Sequence, residues 1–251
     1  MTRRKSIALA ALALIAQIFA AVPALAADVQ VAVAANFTEP AKEIAAAFAA
    51  RTGNHAILSF GSSGQFYTQI TQGAPFEVFL SADPDRPKRI EQEGLGVPGT
   101  RFTYAIGQLV LWSKTPGLVD GRGVLARGAF NKISIADPAA APYGVAAVQT
   151  MTRLGVYAKL APKIVKGSSI TQAYQFVQTG AAELGFVALS QVINDPSGSR
   201  WGVPTNLHAP IVQQAILLWK GDKDAAARAF LQFLKGPEAL AIIERYGYTV
   251  R

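Results

Sequence analysis

One pattern recurs along this chain and constrains it more than any other. A short apolar run ends in a turn of Gly, Ser, Asn or Pro, and residues at helical spacing follow. Residues 29–34 (VQVAVA) are such a run, rich in small and β-branched side chains that suit a buried strand. Thr38-Glu39-Pro40 then reads as a helix start, with Thr38 as the expected cap, Glu39 at the positive end and Pro40 in the first turn. Ala41, Ile44, Ala45, Phe48 and Ala49 continue at helical spacing, and Gly53 ends the helix.

The same order returns through the chain. Strands are expected at 56–60, 78–81, 133–136, 164–165 and 184–189. Helices are expected from Gly61-Ser62-Ser63-Gly64 to near Gly73, over 84–93, from Pro142-Tyr143-Gly144 to near Gly155, over 170–178, 224–234 and 237–246. Strands alternating with helices mean an α/β fold with mainly parallel sheets. Two longer β-rich runs, 104–112 and 210–219, are candidates for crossings between two lobes. They divide the chain into a discontinuous first lobe, 27–107 plus 215–251, and a continuous second lobe, 108–214.

The first 26 residues stand apart. Arg3, Arg4 and Lys5 precede an apolar run from Ile7 to Val22, and Ala24-Leu25-Ala26 fits a small-x-small cleavage site. This is the layout of an export signal, which places the mature chain in the periplasm. After Ala26, Pro, Gly or charged residues interrupt every apolar stretch before the roughly 18 residues that a membrane helix needs. The chain has no cysteine, so it has no disulfide, no thiolate metal site and no cysteine nucleophile. Three of the 24 basic residues fall in the signal, leaving 21 against 16 acidic residues, a balance of +5. They are scattered, which suits a solvated surface with a mild preference for anions and no nucleic-acid partner.

The chemistry is expected where strands turn into helices. Ligands of α/β sheets bind beyond the carboxyl ends of the strands, where helix N-termini offer free N–H groups and a positive dipole end. Four such turns carry Asn36, Ser62-Ser63, Tyr143 and Ser168-Ser169-Ile170, and none of these residues is charged. Neutral donors can hold a dehydrated oxyanion. Without a carboxylate acceptor nearby, they favour a fully deprotonated dianion over a protonated one. Each residue also has a plainer reading: Ser62, Ser63, Ser168 and Ser169 as caps, Asn36 as a turn residue or glycosylation acceptor, Tyr143 as a packed aromatic.

Enzymatic readings find little support. His55 and His208 fall in no metal-ligand pattern, and Gly61-Ser62-Ser63-Gly64 is not the Gly-x-Ser-x-Gly of a nucleophile elbow. A secreted hydrolase pairing Ser63 with His55 or His208 is the enzymatic alternative. Receptors for ferric iron or a small organic anion, and a sensory or scaffold protein, are the others.

Several segments together resemble a known family. They are Val33-Ala34-Ala35-Asn36-Phe37, Gly61-Ser62-Ser63-Gly64, Gly73-Ala74-Pro75 with Val78-Phe79-Leu80-Ser81-Ala82-Asp83, Ala141-Pro142-Tyr143-Gly144, Leu184-Gly185-Phe186-Val187-Ala188, Leu234-Lys235-Gly236-Pro237 and Tyr246-Gly247-Tyr248. In order and spacing they resemble the periplasmic molybdate-binding proteins of ABC-type transporters. The resemblance implies a two-lobed type II periplasmic-binding-protein fold with the ligand in the interlobe cleft. It implies molybdate or tungstate as ligand, no cofactor, a membrane permease as partner, and a monomer. Carried over, Asn36 and Ser63 would bind from the first lobe, and Tyr143 and the Ile170 backbone N–H from the second. Ala35, Ser62 and Ser169 would be secondary candidates. Some members of that family carry a tyrosine where this chain has Ala188, and the resemblance implies that Tyr143 supplies the phenol here.

Overall fold

The computed structural model describes residues 27–250; the expected export signal lies outside the described residues. The chain begins with β1 (Asp28–Ala34), α1 (Thr38–Thr52), β2 (His55–Gly61), α2 (Ser63–Thr71), β3 (Val78–Ser81) and α3 (Asp85–Gln92). There follow β4 (Phe102–Gly107), β5 (Leu109–Ser113), α4 (Gly123–Arg127), β6 (Ile133–Ala136), α5 (Pro142–Arg153), α6 (Tyr157–Leu160) and β7 (Ile164–Gly167). The last elements are α7 (Ile170–Gln178), β8 (Leu184–Ala188), α8 (Leu189–Val192), β9 (Ser199–Gly202), β10 (Ile211–Leu217), α9 (Ala225–Phe233) and α10 (Pro237–Arg245).

These strands form two sheets of five, in the orders β2-β1-β3-β10-β4 and β7-β6-β8-β5-β9. Each sheet holds a parallel block, β2-β1-β3 or β7-β6-β8, and is completed by antiparallel strands. Alternation along each strand feeds both faces. In the first sheet Val29, Val31 and Val33 pack with Phe37, Ile44, Phe48 and Phe230, while Ala32 packs with Phe66, Phe79 and Ile216 on the other face. In the second, Leu109 and Leu111 join Ile133, Ile135 and Phe186, while Val110 and Trp112 join Val177 and Val187. Phe48 and Phe230 are both fully buried and meet edge to face at 5.2 Å. Burying each such ring contributes about 1.5–3 kcal/mol.

Local chemistry sets where the helices start. Ser62 caps α2 in a reciprocal pair: its Oγ accepts from the Gln65 N–H (3.3 Å) and Gln65 Oε1 accepts from the Ser62 N–H (3.1 Å). Ser169 caps α7 by accepting from the Gln172 N–H, and Asp224 caps α9 by accepting from the Ala226 N–H. Thr38 does not cap α1. It is the first helical residue, and its hydroxyl donates back to the Ala35 carbonyl at 2.8 Å. The 3₁₀ turn at Ala35–Phe37 brings that carbonyl within reach.

The chain crosses between sheets twice. The expected long strand over 104–112 is two strands, with Gln108 alone between β4 of the first sheet and β5 of the second. The return follows β9, because β10 pairs with β3 and β4 over its length. The expected return at 214/215 therefore falls inside β10. An apolar run marks a strand, but not which sheet receives it. β10 stops at Leu217, short of Trp219, and β9 and α4 were not foreseen. β9 is a four-residue, partly exposed edge strand without an apolar run to announce it.

Candidate functional site

Five strand ends converge on the seam between the sheets. The turns after β1, β2, β3, β6 and β7 bring Ala35 and Asn36, Ser62 and Ser63, Ala82, Ala141 to Tyr143, and Ile170 around one cavity. It is narrow, and no charged residue lines it. Asn36, Ser63, Tyr143 and Ile170 are each no more than 3% exposed. Ala34, Ala35 and Ala82 from the first sheet pack into the core of the second, so small side chains seal the seam.

The cavity collects donors. Ser63, Tyr143 and Ile170 lie in the first turns of α2, α5 and α7, where N–H groups have no partner within the helix. The three helix dipoles point their positive ends at the same space. Ser63 Oγ accepts from the Ala82 N–H at 2.9 Å, which leaves its own proton to donate. The Tyr143 hydroxyl itself lies in the network behind the cavity, beside Gln213 Nε2, and burial pushes it well above its ordinary pKa.

Behind the cavity lies a buried polar network. Asn36 Nδ2 donates to Gln213 Oε1 (2.9 Å) and to the Tyr248 hydroxyl (3.0 Å). The Tyr104 hydroxyl donates to Gln213 Oε1 at 3.0 Å, and Gln213 Nε2 donates to the Tyr143 hydroxyl at 3.4 Å. The Tyr248 and Ser190 hydroxyls both donate to the Asn36 carbonyl, at 2.7 Å each. The network ties α5 and α8, which follow strands of the second sheet, to β4, β10 and the Asn36 turn of the first. Burial holds Tyr104 well above the usual phenol range and raises Tyr248 to about 12.

The seam is closed on its outer side as well. The Gly64 N–H donates to the Ala140 carbonyl at 2.9 Å, and Arg86, paired with Asp83 at 2.5 Å, donates to the Ala139 carbonyl at 3.2 Å. Next to this latch runs a wider groove of about 350 Å³, lined by Asp83, Arg86, Pro138, Val145 and Ile211 among others. It shares only Ala82 and Pro142 with the first cavity, and its one cationic side chain is already neutralised by Asp83.

Residues 29–249 match the family described as bacterial extracellular solute-binding protein. The chain belongs to this family. Among its relatives, this solute-binding protein is 59% identical to the molybdate-binding protein ModA of Rhodobacter capsulatus, over 91% of each chain. It is 55% identical to the protein of the same name from Azotobacter vinelandii, over 91% of this chain and 92% of that one. Its fold matches the solved structure of the Azotobacter vinelandii periplasmic molybdate-binding protein with a TM-score of 0.86 and 45% identity, covering 89% of this chain and 99% of that one. Like these relatives it is a binding protein and not an enzyme. Neither histidine lines the cavity, so Ser63 has no imidazole there to activate it.

The solute-binding protein brings together Asn36, Ser63, Tyr143 and Ile170, and with them Ala35 and Ser62. Ser169 is not in the lining; its hydroxyl serves the first turn of α7. Ser62 lines the cavity while its Oγ caps α2. The Asn36 amide donates away from the cavity, into the network, and its burial removes it as a glycosylation acceptor. Sequence reasoning missed Gln213, Tyr104, Ser190 and the role of Tyr248. Gln213 alone carried a signal: a polar pair, Gln213-Gln214, interrupts the apolar strand 211–217.

Proposed function

We propose that this protein captures molybdate, and tungstate with it, outside the cytoplasm and delivers it to the membrane permease of an ABC-type transporter. The observation that carries this reading is an uncharged cavity, lined by Ser63, on which three helix N-termini converge. Two curated relatives above 50% identity are named for molybdate binding. The cavity lining has no carboxylate to accept a proton from the ligand, which favours a dianion over hydrogen phosphate.

Closure is the mechanism. Donors from both lobes meet the anion together only when the seam is shut, so the ligand biases the protein toward the closed form. The closed form, a periplasmic monomer cut from its export signal, is what the permease would recognise. Size would separate molybdate and tungstate from sulfate, whose shorter bonds cannot reach donors fixed for a larger tetrahedron. Calorimetric titration of the dialysed protein tests this. Molybdate and tungstate should bind one to one and tightly, with little heat from sulfate or phosphate. Sulfate binding as tight as molybdate would remove the size argument, and no heat from any of the four would remove the oxyanion reading.

A further inference from the structure

The turn between β6 and α5 reaches across the seam with two of its carbonyls. Asp137 holds that turn in shape. Its Oδ1 accepts from the Ala139 N–H at 3.2 Å, and its carbonyl accepts from the N–H groups of Ala140 and Ala141 at 3.1 and 2.8 Å. The carbonyls of Ala139 and Ala140 find their partners in the first lobe. Ala140 accepts from the Gly64 N–H at 2.9 Å, and Ala139 accepts from Arg86 Nη2 at 3.2 Å. The Gly64 N–H, a free donor of the first turn of α2, thus serves the second lobe and not the cavity. The approach is close: a Cβ on Gly64 would lie 3.0 Å from the Cα and oxygen of Ala140 and 3.1 Å from Arg86 Nη2.

Arg86 is prepared for this contact inside its own lobe. Asp83 Oδ1 accepts from the Arg86 N–H at 2.8 Å, and Oδ2 accepts from Nη1 at 2.5 Å. With one arm of the planar guanidinium fixed, the other arm is aimed at Ala139. Both members of the pair belong to the first lobe, so the pair survives opening and only the bonds to Ala139 and Ala140 break. With the seam shut, the Arg86 and Asp83 side chains are 22% and 12% exposed. Arg86 does not line the cavity, yet the latch is continuous with the lining: Gly64 follows Ser63, Asp83 follows Ala82, and Ala140 precedes Ala141.

We propose that Arg86 is the latch that sets how slowly the closed lobes release their anion. It touches no ligand and acts on the opening step. The anion leaves only after the seam parts, and parting breaks the bonds to Ala139 and Ala140. Those bonds form late in closure, when the lobes already meet, so capture does not wait for them. The guanidinium is a charged donor, stronger than a neutral one, and holds the rim of the seam where water would otherwise enter. This inference rests on the oxyanion reading above.

Measuring release directly tests it. The natural protein and Arg86→Met are loaded with radiolabelled molybdate and chased with excess unlabelled molybdate. Association is followed by rapid filtration, and the melting temperature of each ligand-free protein is taken alongside. Arg86→Met should release molybdate about 3- to 10-fold faster, the loss of one hydrogen bond at a partly exposed rim, with association within about twofold of the natural rate. A role confined to folding would lower the ligand-free melt and leave release unchanged. Release less than about threefold faster overturns the proposal. So does a loss of affinity that lies in slower association, because Arg86 would then attract the anion and not hold the lobes. Should Arg86→Met fail to give a cooperative melt, Arg86→Lys replaces it with the same outcomes; it keeps a cation beside Asp83 but has no second arm for Ala139. Failure of the natural protein to bind molybdate or tungstate sinks the oxyanion reading itself, and this inference with it, whereas binding with unchanged release in the variant sinks only the latch.

Discussion

Gly107 is the position where a single methyl group should separate binding from folding. It ends β4, one residue before the crossing into the second lobe. A Cβ there would lie 2.1 Å from the Tyr143 hydroxyl oxygen and 2.6 Å from Gln213 Nε2. Ordinary contact needs about 3.5 Å, so Tyr143 would have to retreat by more than about 1 Å from a cavity that leaves it only 2% exposed. Overpacking of this kind costs about 1–3 kcal/mol. The backbone of Gly107 does not have a positive φ, so alanine brings no conformational strain of its own. Tyr143 belongs to the second lobe and Gly107 to the first, so this clash exists in the closed form and is relieved on opening, while the contact with Gln213 Nε2, in the same lobe, stays and needs only a small shift of that side-chain end. Most of the cost then falls on binding. Gly107→Ala should weaken molybdate affinity roughly 5- to 150-fold, the conversion of about 1–3 kcal/mol. The ligand-free melting temperature should change little. Calorimetry and a thermal melt on the same sample are sufficient. Affinity within twofold of the natural protein would refute the reasoning, and so would a fall in ligand-free stability as large as the loss in binding.

The two neighbouring serines should behave differently. Ser63→Ala removes a donor and strands the buried Ala82 N–H, and should lower molybdate affinity about 10- to 100-fold in titration. Ser62→Ala removes a helix cap and should cost about 1 kcal/mol in denaturant unfolding, with a smaller loss of affinity than Ser63→Ala. Alkaline pH should destabilise the ligand-free protein. Burial raises Tyr104 and Tyr143 well above the ordinary phenol value of 10.0 and Tyr248 to about 12. Because the folded values exceed the unfolded ones, this contribution is intact below pH 10 and is lost as pH climbs toward 12. Each phenol adds a slope of about 1.4 kcal/mol per pH unit in that window. Urea midpoints unchanged between pH 9 and pH 11.5 would contradict the burial of these hydroxyls.

By itself, the sequence determined the class of fold and the places where ligand chemistry could gather. Apolar runs such as 29–34 and 133–136 are short and buried on both faces, so they announce parallel strands without help from tertiary contacts. Ser62 and Asp224 start helices through bonds two or three residues away, and such local chemistry is written in local residues. Family likeness then named the cavity residues, but not how each side chain would be used. That was left to contacts between residues far apart in the chain. The Asn36 amide is claimed by Gln213 and Tyr248, 177 and 212 residues away. Gly107 looks like any glycine until the Tyr143 hydroxyl is placed over it, and Gln213 like any strand residue until its amide is seen between the two lobes. Thr38 lost its expected capping role to a carbonyl that only the preceding 3₁₀ turn presents. The return crossing also eluded the sequence, since 211–217 is equally apolar whichever sheet receives it. Strand and helix identity follow from short-range periodicity and capping. Pairing partners, lobe closure and the direction of each polar hydrogen are decided by which distant groups are buried together, where no polar atom can be left unbonded.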